Sequence, residues 1–170
     1  MFIGRMNELD TLNKLWNSDS FACVLLYGRK HVGKTSLISE FCKGKKTIFF
    51  SAPASAYDDT LEGFSKALFS CVSPAMHVPP VLPDFETILQ NIETLLAKER
   101  VVLVIDNFSN LYHANPNILS LLQQYIEQHF ASTGLFMILA DSSLSFMENQ
   151  VMDSSSPLYG LYSKSMKLLP

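Results

Sequence analysis

Apolar and polar positions along the chain follow two periods in turn. Short apolar runs occupy Phe21 to Tyr27, Thr47 to Ser51, Val101 to Asp106 and Leu135 to Ala140. Runs of this length without a polar face predict strands covered on both sides, as in a parallel sheet. Between them, apolar residues recur at helical spacing. The first such segment runs from about Asn7 to Trp16, with Leu9, Leu12, Leu15 and Trp16 on one face. Others are Lys34 to Cys42, stopped by Gly44, then Asp58 to Val72 with an acidic opening, Asp84 to Lys98, and Asn117 to Phe130. Ser163 to Leu169 alternates enough to predict a fifth strand. Strands alternating with helices predict an α/β fold, a parallel five-stranded sheet with helices on both faces in three layers.

Four of the eight prolines, Pro74, Pro79, Pro80 and Pro83, interrupt this pattern between Ser73 and Asp84. They predict a Pro-rich loop over 73–83, long for a compact domain. No repeat or linker divides the 170 residues, so a single domain over 1–170 is expected. Apolar residues make up 48%, mean hydropathy is +0.16 and charged residues are 17%, against about 25% in average soluble domains. This apolar excess predicts an exposed patch near the C-terminal strand, covered by another protein chain or by a missing lid or effector domain.

Charge and cysteine usage narrow the function classes. A net charge of -3 without a basic run argues against a dedicated nucleic-acid surface. No apolar stretch approaches the roughly 20 residues of a membrane span, and the N-terminus lacks the charged flank and apolar core of a signal peptide. A cytoplasmic protein is expected. Cys23, Cys42 and Cys71 are odd in number and widely spaced, and the four histidines show no ligand spacing. Disulfide frameworks and His/Cys metal sites are therefore not expected.

The chemistry concentrates at Gly28-Arg29-Lys30-His31-Val32-Gly33-Lys34-Thr35, a G-x-x-x-x-G-K-T phosphate loop between an apolar strand and a helix. Its glycines let the backbone curl so that successive N–H groups point inward at phosphate oxygens, and the helix N-terminus beginning through Ser36 adds its dipole. Lys34 is placed to reach the β and γ phosphates of ATP, and the Thr35 hydroxyl to ligate Mg²⁺. Asp106, at the end of its strand, supplies the carboxylate that completes a Mg²⁺ site. Asn107 follows where many such ATPases carry a Glu, and an amide cannot take a proton from the attacking water. At the end of the fourth strand, Asp141 and Ser142 are both candidates to touch the γ-phosphate or position that water, set against an ordinary strand-end turn.

These residues resemble the archaeal-type P-loop ATPases, relatives of the AAA+ and STAND nucleotide switches, over nearly the whole chain. The matching segments are Phe2-Ile3-Gly4-Arg5 with Glu8-Leu9, Tyr27 through Leu37, Leu103-Val104-Ile105-Asp106 with Phe108, Ser142 through Met147, and Ser156-Pro157-Leu158-Tyr159-Gly160. The resemblance implies a P-loop NTPase sheet ordered 5-1-4-3-2 and an N-terminal segment, Ile3, Gly4 and Arg5, packed near the adenine. It also implies a helical lid, often with a further domain, beyond the final strand.

Two departures bear on activity: Asn107 replaces the family's Glu, and Leu161 stands where an arginine follows the Leu-Tyr-Gly segment. Only Arg5, Arg29 and Arg100 are present, so Arg29 in the loop, or an arginine from another chain, is left to neutralise charge on a transferring phosphate. The lack of arginines from Val101 to Pro170 argues against a small-molecule kinase. Two readings stand: an ATP- or ADP-binding domain with Mg²⁺ and weak hydrolysis, and a nucleotide-gated interaction module that does not hydrolyse.

Overall fold

The computed structural model describes residues 4–170, so Ile3 lies outside the described residues. β1 (Ala22–Tyr27) is buried at every position, the outcome expected of a strand with helices on both faces. β3 (Val102–Asp106) and β4 (Phe136–Asp141) are buried in the same way up to their tips. β2 (Thr47–Ser51) buries Ile48 and Phe50 but leaves Phe49 exposed, and β5 (Lys164–Lys167) buries only Met166. Those half-covered patterns mark the two edges. The strands are parallel in the order β2-β3-β4-β1-β5, which from the other edge is the 5-1-4-3-2 order that the resemblance implies. The three-layer P-loop NTPase fold is present.

Alternate residues along each strand serve two separate cores. On one face, α1 (Met6–Asn17) and α2 (Lys34–Cys42) set Leu12, Leu37, Ile38 and Phe41 against Val24, Leu26, Val104 and Ile138. The opposite face carries α3 (Tyr57–Val72), α4 (Phe85–Leu96), α5 (Phe108–Ala114) and α6 (Ile118–Tyr125), packed on Leu25, Ile105 and Leu139. Asp84 starts α4 as a cap, its carboxylate accepting the Thr87 backbone N–H and hydroxyl, each at 2.7 Å. Those bonds hold its carboxyl below the usual range.

The elements match the sequence pattern with three additions. The helix expected from Asn117 to Phe130 widens over Ile126–Phe130 into a π-helical turn. A short helix α7 (Leu144–Phe146) and a second π-helical turn (Met147–Val151) follow β4. α5 lies in a stretch where no helix was expected. Asn107 adopts a left-handed backbone (φ 53°), which turns the chain from β3 straight into α5 and leaves no loop to announce it. The Pro-rich segment forms no helix or strand and exposes Met76, Val78 and Val81. Near the C-terminal strand Leu169 is exposed, and other exposed apolar side chains, Met6, Phe49, Tyr57 and Tyr159 among them, are scattered over the surface.

Candidate functional site

In a parallel sheet all strands end at one edge, and here the register aligns those ends. Tyr27 pairs with Asp141 across β1 and β4, and Ser51 with Asp106 across β2 and β3. The loop between β1 and α2 rises over this edge. A cavity of about 530 Å³ opens beneath it, lined by Lys30, His31, Gly33, Lys34, Thr35, Ser36, Asp106, Asn107 and Ser142. Six residues of the loop segment thus share one cavity with three from the tips of β3 and β4.

The loop's shape follows from its glycines. Gly33 has φ 98°, a conformation that side chains disfavour, and it is the residue from which α2 starts. At Gly28 the constraint is space, since an added Cβ would lie 2.6 Å from the Leu168 carbonyl oxygen. His31 also has a positive φ, 66°, and lines the cavity.

Lys34 folds back onto its own loop, its Nζ donating to the carbonyls of Gly28 at 2.6 Å and Arg29 at 2.9 Å. Partial burial pulls its ammonium below the ordinary lysine range, while the charges of Asp106 and Asp141 act in the opposite direction. Asp106 Oδ1 accepts the Asn107 backbone N–H at 2.9 Å, which orients the carboxylate. Thr35 and Asp106 line the same space, a hydroxyl and a carboxylate suited to a hard divalent cation.

Asn107 does not point freely at that space. Its amide Nδ2 donates to the Ser51 hydroxyl at 3.0 Å, and Asn110 on α5 likewise donates to the Ala52 carbonyl at 2.9 Å. The start of α5 is thereby tied to the end of β2. Asn suits this position twice over, because it tolerates the left-handed backbone and carries the donor.

The remaining candidates divide between the cavity and its surroundings. Gly28 and Arg29 line a neighbouring hollow of about 340 Å³ with Leu144, Lys167, Leu168, Leu169 and Pro170. Val32 supports the loop from the smaller core. Gly4 is exposed with φ 98°. Arg5 pairs with Glu8 at 3.1 Å and donates to the Val32 carbonyl at 2.8 Å and to the Leu169 carbonyl. It clamps the phosphate loop to the chain leaving β5. Arg100 is also structural, lying 3.8 Å over the Trp16 ring and donating to the Gly134 carbonyl at 2.9 Å. Of the three arginines, Arg29 is the exposed one beside the loop.

Two groups near the site were not among the residues favoured from sequence. Ser51 ends β2 as Asp106 ends β3, a positional signal in the run TIFFS. Ser109 sits in the unexpected α5 and donates to Asp141 Oδ1 at 3.1 Å, for which the sequence carries no signal. Asp141, a candidate from sequence, is buried, and burial pushes its carboxyl above the usual range against hydrogen bonds from the Ser109 hydroxyl and the Ser142 and Ser143 backbone N–H groups.

Comparison with known proteins agrees with this geometry. Residues 2–166 match a family described as an ATPase domain predominantly from Archaea. An uncharacterized protein of Methanocaldococcus jannaschii is 32% identical over all 170 residues, which span 36% of its own length. Among solved structures, a Walker-type ATPase of Pyrococcus abyssi superposes with a TM-score of 0.74 at 19% identity, over 99% of this chain and 54% of that one. The Aeropyrum pernix ORC2 protein, solved in ADPNP and ADP complexes, superposes at 0.64 with 15% identity, over 98% of this chain and 48% of that one. The chain thus spans a third to about half the length of these proteins.

Proposed function

From the premise that the chain belongs to the ATPase domain family found predominantly in Archaea, we propose that it binds ATP or ADP together with Mg²⁺ and hydrolyses ATP weakly. The observation that carries this reading is the shared cavity, which gathers Lys34, Thr35, Asp106 and Ser142 at the C-terminal edge of a parallel sheet. Ligands of open α/β sheets bind at that edge.

The residues divide the work. The loop's backbone N–H groups and the start of α2 receive phosphate oxygens. Lys34 exchanges its two carbonyl partners for the β and γ phosphates, and its ammonium balances their charge. Thr35 and Asp106 hold the divalent cation, which when bound neutralises phosphate charge and orients the terminal group. Ser142 offers a hydroxyl at the far wall. Asn107 can orient a water through its amide but cannot accept its proton, so turnover lacks a general base at that position. Arg29, or an arginine from another chain, supplies the remaining positive charge.

The hydrogen bond between Asn107 and Ser51 favours a second reading, a domain that uses nucleotide as a conformational signal. A residue that bonds β2 directly at the start of α5 reports the state of the site to the sheet edge more readily than it activates water. Under either reading, residues 1–170 act as one nucleotide-binding domain of a cytoplasmic protein, joined to a lid, an effector domain or another chain. No helix among the described residues is long and apolar enough to cross a membrane.

A thermal-shift titration with MgATP and MgADP tests binding, and steady-state ADP release separates the two readings. The expected result is stabilisation by both nucleotides with slow ADP release above background, and release at background favours the second reading. No stabilisation by either would overturn the assignment.

A further inference from the structure

The segment joining α3 to α4 plays no part in the assignments above, and its residue types dictate its backbone. It reads Val78-Pro79-Pro80-Val81-Leu82-Pro83. Each proline ring fixes φ at about −65°. Val78, Pro79 and Leu82 each precede a proline, which pushes them toward extended backbone. Only Val81 escapes both constraints. The run therefore favours a polyproline II helix, in which three residues make one turn and residues three apart share an edge.

Burial along the segment follows that threefold period. Pro79 and Leu82 are half-buried, whereas Val78 with Val81, and Pro80 with Pro83, are exposed. Val78 is 86% and Val81 54% exposed. One edge thus lies on the protein and two face solvent, where a strand would alternate at every second residue. The inner edge is anchored. Leu82 packs against the larger core, and its N–H donates at 2.9 Å to the hydroxyl of Ser65, a fully buried residue of α3. Among the described residues no backbone N–H donates to a carbonyl from His77 to Pro83, so those acceptors remain free. The prolines lack the donors that would let the segment extend a sheet. Its Pro83 end is acidic. Asp58 and Asp59 open α3 and Glu86 opens α4, all three exposed, and the Tyr57–Phe85 ring contact at 5.3 Å holds those helix starts together. Lys66, the lysine of α3, stands further along that helix.

We propose that residues 78–83 are a polyproline II ligand displayed on the domain surface, recognised by another protein through a groove lined with aromatic side chains and rimmed with lysine or arginine. Aromatic-lined grooves take such helices, and Pro80-Val81-Leu82-Pro83 has the P-x-x-P spacing that they read. The free carbonyls accept from donors of the groove, and the two exposed edges supply the apolar contact. The carboxylates beside Pro83 set the charge of the rim. Because Leu82 and Ser65 already hold the helix in place, binding does not incur the ordering entropy that a loose Pro-rich tail loses.

The test is calorimetric titration of the full chain with two isolated modules that carry aromatic grooves, a WW domain and an SH3 domain, each chosen with lysine and arginine at the groove rim. Saturable binding to at least one is expected, with backbone amide shifts in NMR centred on Val78, Val81 and Leu82, and added salt should weaken it. The double variant Pro80→Ala with Pro83→Ala should bind about tenfold or more weakly, its thermal midpoint hardly changed because both side chains are exposed. Pro74→Ala, outside the threefold run, should bind like the parent. Should the proline double variant not fold, Val78→Ser with Val81→Ser strips the other exposed edge and is scored by the same criteria. Binding to neither module, affinity undiminished in the double variants, or an equal loss in Pro74→Ala overturns the proposal. So does sedimentation showing a dimer of the parent that Pro80→Ala with Pro83→Ala dissociates, for a second copy would then cover the segment.

Discussion

The two rims of the cavity are built on different principles. The rim between β1 and α2 is local, because a single run of eight residues carries its glycines, its ammonium and its hydroxyl, and the backbone conformation at Gly33 follows from residue type. The rim formed by the ends of β2, β3 and β4 is assembled from residues distant in sequence, with Ser51 holding Asn107 and Ser109 holding Asp141. The first keeps every part its motif requires. In the second, an amide replaces the carboxylate that would take a proton, and a buried acid stands at the end of β4. Under the proposed reading, the contrast assigns binding to the local rim and turnover to the assembled one, so that the second could be altered while the first stays intact.

The sharpest way to break the comparison is to disable the local rim. Lys34→Ala removes the cation facing the phosphates and is expected to weaken ATP and ADP binding by about 10² or more, since hydrogen bonds to charged groups contribute roughly 1.5–3 kcal/mol each. The fold should persist, because Lys34 contributes no side chain to either core and the Arg29 carbonyl it releases is exposed. A nucleotide-induced thermal shift of undiminished size in the variant would contradict the role given to this loop.

Restoring a base to the assembled rim is the next largest effect. Asn107→Glu is expected to raise ATP turnover by about 10², the size of a general-base contribution. It should also lower the thermal midpoint, for Glu tolerates the left-handed backbone less well than Asn, by about 1 kcal/mol, and the bond to Ser51 is lost. Turnover is read from phosphate release and stability from calorimetry. Unchanged turnover would mean that the missing base does not limit this rim.

Gly28→Ala probes where the two rims meet. The new Cβ would meet the Leu168 backbone, so the chain leaving β5 must shift, at an expected cost of about 1–3 kcal/mol in stability, as for other overpacked sites. Denaturant unfolding measures it, and an unperturbed midpoint would show that the β5 exit yields freely. Ser51→Ala should have the smallest effect, roughly 0.5 kcal/mol in stability, for an exposed hydrogen bond. If the bond restrains Asn107, the variant should also change the response of α5 to MgADP in hydrogen exchange, and an identical exchange pattern would remove β2 from the signalling path.

Much of this was legible before any coordinates. Three of the four apolar runs specify buried parallel strands because nothing polar interrupts them, while Thr47 to Ser51, flanked by hydroxyls, forms a half-covered edge; Gly28 through Thr35 specifies its own loop because those residue types admit few backbone conformations. The Pro-rich stretch declared itself by removing backbone donors. By contrast, α5 was hidden because Asn107 reverses the chain in one residue, and the length of α6 was legible without its π-helical turn.

The sequence by itself determined the layer architecture, the phosphate loop and the candidate residues Lys34, Thr35 and Asp106, since each depends on periodicity or on residue type within a short window. Tertiary structure decided what the remaining polar residues do. Arg5 and Arg100 became clamps because the carbonyls they reach, those of Val32, Leu169 and Gly134, are brought within hydrogen-bond distance only on folding. Asn107 was turned toward Ser51 by the β2–β3 register. Asp141 became a buried acid with one free oxygen because α5 packs over the end of β4. Partner choice and burial depend on which distant segments fold against one another, and that information is spread over the whole chain and absent from any single window of it.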